Sequence, residues 1–122
     1  MRARWFPIGA LLLAAGVTGG ALGAHALRPR LDSASLALWE TAVRYLVIGG
    51  FGLLALGLAA HANPHRAWAL AGTCLLVGAV VFSGTIGAIA LGAPRWLGAV
   101  TPIGGLLLII GFVAMAAAAF RR

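Results

Sequence analysis

Four apolar stretches without a charged residue fill almost all of this 122-residue chain. They cover residues 5–27, 45–60, 67–94 and 96–120. A helix needs about 20 apolar residues, each rising about 1.5 Å, to cross a bilayer. We therefore predict an all-α integral membrane four-helix bundle in which residues 1–122 form a single domain. The expected helices, joined by short loops, cover about 6–27, 33–60, 64–91 and 101–120.

The composition supports a membrane protein and argues against a nucleic-acid binder. Hydrophobic residues make up 62% of the chain, against about 45–50% in soluble domains. The formal net charge is +7, but the nine basic residues are all arginines, placed singly or in pairs at the ends of the apolar runs. Arginine at a membrane boundary contacts lipid phosphate. The expected partners are thus anionic lipid headgroups, together with a second copy of the chain or a larger membrane complex.

The N-terminal run invites comparison with a secretory signal peptide, because Arg2 and Arg4 precede it. It is longer than the usual signal core of about 7–15 residues, and three further apolar runs follow. We expect a retained first helix. With four crossings, five arginines fall on the side of both termini and four on the other. The excess of arginine weakly favours cytoplasmic termini.

Glycines in the first and last helices are spaced for close helix packing. In helix 1 they recur four residues apart, and in helix 4 they fall in the first turns. Small residues at such spacing let another helix approach closely within a membrane. The predicted helix-packing residues are Gly16, Gly19, Gly20, Gly23, Gly104 and Gly105.

The second helix has a clear start and an amphipathic first part. Asp32 or Ser33 is expected to cap its N-terminus, and the polar residues Glu40 and Arg44 lie four positions apart. Apolar residues recur beside them at helical spacing. This segment is therefore predicted to lie in or near the membrane interface.

The loop after helix 2 has a proline at its centre. Asn63 is expected to cap helix 3, with Pro64 at its first position. His61 and His65 have the spacing of metal ligands, but Pro64 separates them between two helices, so no metal site is expected. In helix 3 the Ser83 hydroxyl is expected to bond a helix carbonyl or a neighbouring helix rather than to act as a nucleophile.

The polar residues that remain gather toward one membrane face. Glu40 is expected to pair with Arg44 or Arg95, and such a buried network predicts that Glu40→Ala destabilises the protein more than Asp32→Ala. An ionisable residue at membrane depth is a functional candidate, although an ordinary interfacial ion pair explains the pattern as well. The candidate polar cluster consists of His25, Arg28, Glu40, Arg44, Tyr45, Arg95 and Thr101.

Four segments together carry a family resemblance. They are GAHAL at 23–27, WETAVRY at 39–45, FSGT at 82–85 and RWLGAVTPIGG at 95–105. In their order and spacing the chain resembles the YgdD-like family of small membrane proteins, which includes transmembrane protein 256 of animals. The resemblance implies a four-helix protein, in bacteria usually of the inner membrane, with no settled activity, substrate or cofactor. Gly49 stands where the family commonly has a histidine, so haem ligation by a histidine pair is not expected.

These observations leave three functional interpretations. The first is a non-enzymatic structural or accessory protein that packs against itself or a larger membrane complex. The second is a small oligomeric transporter or channel with the candidate polar cluster at its mouth. The third is a membrane enzyme or a lipid-binding protein that uses its arginines to hold an anionic headgroup. No recognisable nucleophile and base, and no metal-ligand cluster, indicates an enzyme.

Overall fold

The structure is a computed structural model that describes residues 4–121, and its four long helices confirm the all-α membrane fold. Each is long and apolar enough to cross a membrane. They are α1 (Trp5–Leu22), which continues as a π-helical turn (Gly23–Leu27), α2 (Ser33–Ala62), α3 (Ala67–Ala90) and α4 (Thr101–Phe120). A 3₁₀ turn (Arg95–Ala99) precedes α4.

The helices pack mainly in chain order. α2 lies between α1 and α3, α3 packs against α4, and α2 also touches α4. Short connections make consecutive helices antiparallel neighbours. The fully buried side chains Leu53, Leu56 and Leu75 occupy the contact of α2 with α3, while α1 is an edge helix that rests mainly on α2.

Glycines set how closely the helices approach one another. A Cβ atom on Gly104 of α4 would lie 2.5 Å from the backbone nitrogen of Phe82 in α3. A Cβ on Gly9 of α1 would lie 2.7 Å from the carbonyl oxygen of Gly50 in α2. Both distances are well below an ordinary van der Waals contact, and the obstructing atoms belong to the backbone. A side chain at either position therefore requires the two helices to separate.

The α2–α3 loop differs from the expected helix start. α3 begins at Ala67 rather than Pro64, and Asn63 ends α2 instead of capping α3. The physical reason is a set of distant bonds: the Asn63 side-chain amide donates to the Arg121 carbonyl (3.1 Å), and the Trp68 indole donates to the Asn63 carbonyl (2.8 Å). His65 Nε2 lies 3.0 Å from the Ala118 carbonyl oxygen. The loop thus adds hydrogen bonds to carbonyls at the end of α4, where the Ala118 carbonyl also accepts from the Arg121 N–H (3.2 Å).

Replacing two glycines by alanine tests the close contact of α3 with α4. Gly104→Ala is expected to lower the free energy of unfolding by about 1–3 kcal/mol, the usual range for overpacking. Gly84→Ala in α3 is the matched control, since a Cβ there meets nothing within 4 Å. Alanine favours a helix by about 0.5–1 kcal/mol over glycine, so the control should be neutral or stabilising. Thermal unfolding in one detergent measures both variants, and equal melting temperatures would contradict the backbone contact.

Candidate functional site

The charged members of the candidate polar cluster lie at the surface. Glu40 and Arg44 are exposed on α2, and Arg95 is exposed at the start of the 3₁₀ turn. Within residues 4–121, no hydrogen bond or ion pair joins Glu40 to Arg44 or to Arg95. His25 in the π-helical turn is exposed as well. The expected buried network around Glu40 is therefore not formed, because Glu40 and Arg44 lie on the exposed side of α2.

Two other members of that cluster serve helix contacts. The Tyr45 ring of α2 packs on Phe82 of α3, with 4.8 Å between ring centroids. The hydroxyl oxygens of Thr85 and Thr101 lie 2.6 Å apart and share a hydrogen bond. Thr85 also donates to the Val81 carbonyl (2.8 Å). These contacts join α3 to α2 and to the first turn of α4.

The predicted helix-packing glycines all lie against neighbouring helices. A Cβ on Gly16 would lie 2.5 Å from a methyl of Val47 in α2. Gly19 and Gly20 face Val43 of α2, at 3.1 and 3.7 Å from their Cβ positions. Gly23 faces Trp39 of α2, and Gly104 and Gly105 face Phe82 of α3.

Trp39 of α2 fills the space that the glycines of α1 leave. Its indole N–H donates to the Gly19 carbonyl (2.8 Å), and a Cβ on Gly23 would lie 2.8 Å from the indole Cδ1. On the other side, a Cβ on Gly87 of α3 would lie 3.6 Å from the indole Cζ3. The sequence analysis missed this role of Trp39. The sequence does contain an indication of it: a tryptophan, whose N–H needs a hydrogen-bond acceptor, in the helix that follows a glycine-rich helix.

A cavity of about 360 Å³ lies beside Trp39, between α1, α2 and α3. Its volume falls at the lower end of the range of ligand pockets, about 300–1,000 Å³. Most of the wall is alanine, glycine, valine and leucine. The residues that matter for its chemistry are Gly19, Trp39, Leu46, Ser83, Gly84 and Leu91.

Ser83 is the one hydroxyl in the cavity wall. Its residue surface is only 8% exposed, and Oγ has no hydrogen-bond partner. The expected bond to a carbonyl is thus absent from this structure. By contrast, the hydroxyls of Thr18, Thr41 and Thr73 each donate to the carbonyl four residues earlier. A buried hydroxyl without a partner costs about 1–3 kcal/mol, which makes Ser83 the principal candidate for contact with a ligand.

The two histidines of the α2–α3 loop play separate parts. His61 is exposed, whereas His65 accepts from the Ala67 N–H through Nδ1 (3.3 Å) and contacts the end of α4 through Nε2. Both contacts fit a neutral ring with the proton on Nε2. No group of three His, Cys, Asp or Glu side chains able to hold a metal ion occurs in the part of the chain that the structure describes.

Residues 19–105 match the family model described as "Protein of unknown function (DUF423)". The match covers more than half of the chain and includes Trp39, Ser83 and Thr101. The chain belongs to the DUF423 family.

Relatives in staphylococci give the same result for the DUF423 chain. A UPF0382 membrane protein of Staphylococcus epidermidis is 40% identical over 115 residues, covering 93% of each chain. The corresponding proteins of Staphylococcus haemolyticus and of a bovine strain of Staphylococcus aureus are 39% and 35% identical over the same length and coverage. No solved structure gives a significant match. The resemblance to a family of small membrane proteins of unknown function is confirmed.

The contacts reverse the expected order of two alanine substitutions. Asp32 accepts a hydrogen bond from the Ser35 N–H (2.7 Å) and caps α2, whereas Glu40 is exposed without such a contact. At neutral pH, Asp32→Ala should lower the melting temperature more than Glu40→Ala, and the Glu40 change should stay within about 0.5 kcal/mol. Thermal unfolding of both variants in detergent measures the difference.

The same capping bond predicts how this difference changes with pH. The Ser35 backbone N–H, with a smaller effect of its side chain, lowers the pKa of Asp32 below its usual value. The stabilisation is therefore present above the unfolded-state pKa and lost as the pH falls through the folded-state pKa. The gap between wild type and Asp32→Ala should close at acidic pH. Asp32→Asn, which keeps a hydrogen-bond acceptor at this position, is the control. A difference in melting temperature between wild type and Asp32→Ala that did not change with pH would contradict the capping role.

Proposed function

We propose that this DUF423 protein is a non-enzymatic structural or accessory component that packs, through α1, against a second copy of itself or a larger membrane complex. The observation that carries the proposal is the edge position of α1. In the most apolar stretch of each helix, 17% of the residues are buried in α1, against 22% in α4 and 33% in α2 and in α3. α1 therefore presents a long free side to the membrane.

The free side of α1 has the chemistry of a helix contact. Ala10, Ala14, Thr18 and Ala21 recur on it at helical spacing and are exposed. Next to them a shallow concavity is lined by Thr18, Ala21 and His25, among others. Small residues allow close approach of a second helix. Such packing favours association in a membrane, where the hydrophobic effect does not drive helices together because lipid tails are themselves apolar. The glycines do not provide this surface, because they face α2.

Polar groups inside the helices support a structural role. Thr85 and Thr101 bond one another, and the Trp39 and Trp68 indoles bond backbone carbonyls. These groups are engaged in holding helices together. Glu40 and Arg44 do not line the cavity between α1, α2 and α3, so no specific observation favours the transporter interpretation.

Substitutions on the free side of α1 test the proposal. Native mass spectrometry of protein extracted gently from its own membrane should show a homo-oligomer or a stoichiometric complex. The double variant Ala14→Leu, Ala21→Leu should lower the associated fraction about tenfold, as expected for a loss of about 1.4 kcal/mol. Ala55→Leu, on the exposed side of α2, is the matched control. A lone monomer for the wild type, or equal loss in the control, would overturn the proposal.

We also propose a multi-pass location in the bacterial inner (plasma) membrane, with both termini in the cytoplasm. The support is the arginine distribution, five on the side of the termini and four on the other, together with staphylococcal relatives that are named membrane proteins. Reporter domains fused after Arg122 and inserted beside Asp32 distinguish the orientations. Cytoplasmic reporter activity is expected from the C-terminal fusion; an extracytoplasmic signal there would reverse the assignment.

A further inference from the structure

The cavity between α1, α2 and α3 lies where Trp39 of α2 stands between α1 and α3. A Cβ on Gly23 would lie 2.8 Å from the indole Cδ1, and a Cβ on Gly87 of α3 would lie 3.6 Å from the indole Cζ3. Three residues earlier in α3, a Cβ on Gly84 would meet nothing within 4 Å. Trp39 and Leu46 of α2 line the opening. The result is a groove bounded by three helices.

The groove combines an apolar wall with a single hydroxyl. Ser83 follows Phe82, whose ring packs on Tyr45 of α2, so it lies at about the depth of the exposed Arg44. A charged side chain that faces lipid lies near the boundary of the apolar layer, where its head reaches water. The Ser83 hydroxyl is therefore near this boundary. A suitable occupant is a long apolar chain that carries a hydrogen-bond acceptor near one end. The ester carbonyl of a glycerolipid acyl chain has this chemistry.

The charge at this end of the molecule indicates the type of headgroup. Arginines outnumber carboxylates there by four to two. They are Arg28, Arg30, Arg44 and Arg95, against Asp32 and Glu40. All six are exposed, and no ion pair joins them within residues 4–121. An anionic headgroup is therefore attracted to this face.

We propose that this groove binds one acyl chain of an anionic glycerophospholipid, with the Ser83 hydroxyl donating a hydrogen bond to the ester carbonyl. Ser83 Oγ exposes less than 1 Å² in the rotamer that the structure shows, so binding includes a rotation of Ser83 about χ1 to another staggered position. The lipid supplies the acceptor that the protein does not. Binding at this site is independent of the free side of α1, whose residues Ala14 and Ala21 do not line the groove.

Filling the groove tests the proposal directly. Gly84→Leu places a side chain in the opening where a Cβ meets no atom, and Ala55→Leu on the exposed side of α2 is the matched control. The full chain is delipidated in detergent and titrated with phosphatidylglycerol or with phosphatidylcholine of the same acyl chains, and native mass spectrometry counts bound lipids. Wild type and Ala55→Leu should retain one phosphatidylglycerol in preference to phosphatidylcholine. Gly84→Leu should lower that occupancy at least tenfold.

Ser83→Ala tests the hydrogen bond without filling the groove. It should weaken phosphatidylglycerol binding about fivefold, the effect of losing one neutral hydrogen bond, and it keeps the proposal testable if Gly84→Leu fails to fold. Circular dichroism and thermal unfolding establish that each variant is folded. Equal lipid occupancy in wild type, Gly84→Leu and Ser83→Ala would overturn the site. Equal binding of the two lipids would overturn the preference for an anionic headgroup. If Gly84→Leu lost a bound protein partner and kept its lipid, the groove would bind a protein and not a lipid.

Discussion

The hydrocarbon layer offers no water to bond backbone amides and carbonyls, and this requirement governs the whole structure. Each crossing segment must satisfy its own backbone polar groups, which a helix does. At the helix ends, where carbonyls have no partner within the helix, side chains supply it. Asn63 and His65 bond carbonyls at the end of α4, and Asp32 accepts from a backbone N–H at the start of α2. The loops therefore hold polar groups at the boundaries and leave the interior to packing.

Within that interior, helix association depends on close contact rather than on expulsion of water, because lipid is as apolar as leucine. Gly9 and Gly104 bring backbones together, so dispersion contacts and a few hydrogen bonds such as Trp39 to Gly19 hold the bundle. Where the helices meet closely, a small residue is required. Beside Gly84, where a Cβ would meet nothing within 4 Å, the same residue type leaves open space. The glycine content therefore produces both the tight contacts and the cavity.

The two surfaces proposed to bind other molecules, the free side of α1 and the groove, differ in their chemistry. The free side of α1 offers small residues to a helix, whereas the groove beside Trp39 offers an apolar channel with one unpartnered hydroxyl at Ser83. A structural or accessory role is compatible with both surfaces, since a lipid bound in the groove would leave the free side of α1 available. Glu40 and Arg44 are exposed on α2 and do not line the groove.

The number of crossings follows from the sequence alone, because apolar length decides whether a segment spans a bilayer. The start of α2 follows to within one residue, Asp32 or Ser33, because a cap bonds a neighbour only a few residues away. The contact glycines were predicted from their spacing. What these glycines meet, the bond from Asn63 to the Arg121 carbonyl and the unpartnered Ser83 hydroxyl depend on how the helices pack. The incorrect Glu40 network has the same origin. Charged residues that the topology places at one membrane face need not point toward one another. The rotation of α2 about its own axis decides which of its side chains face the neighbouring helices.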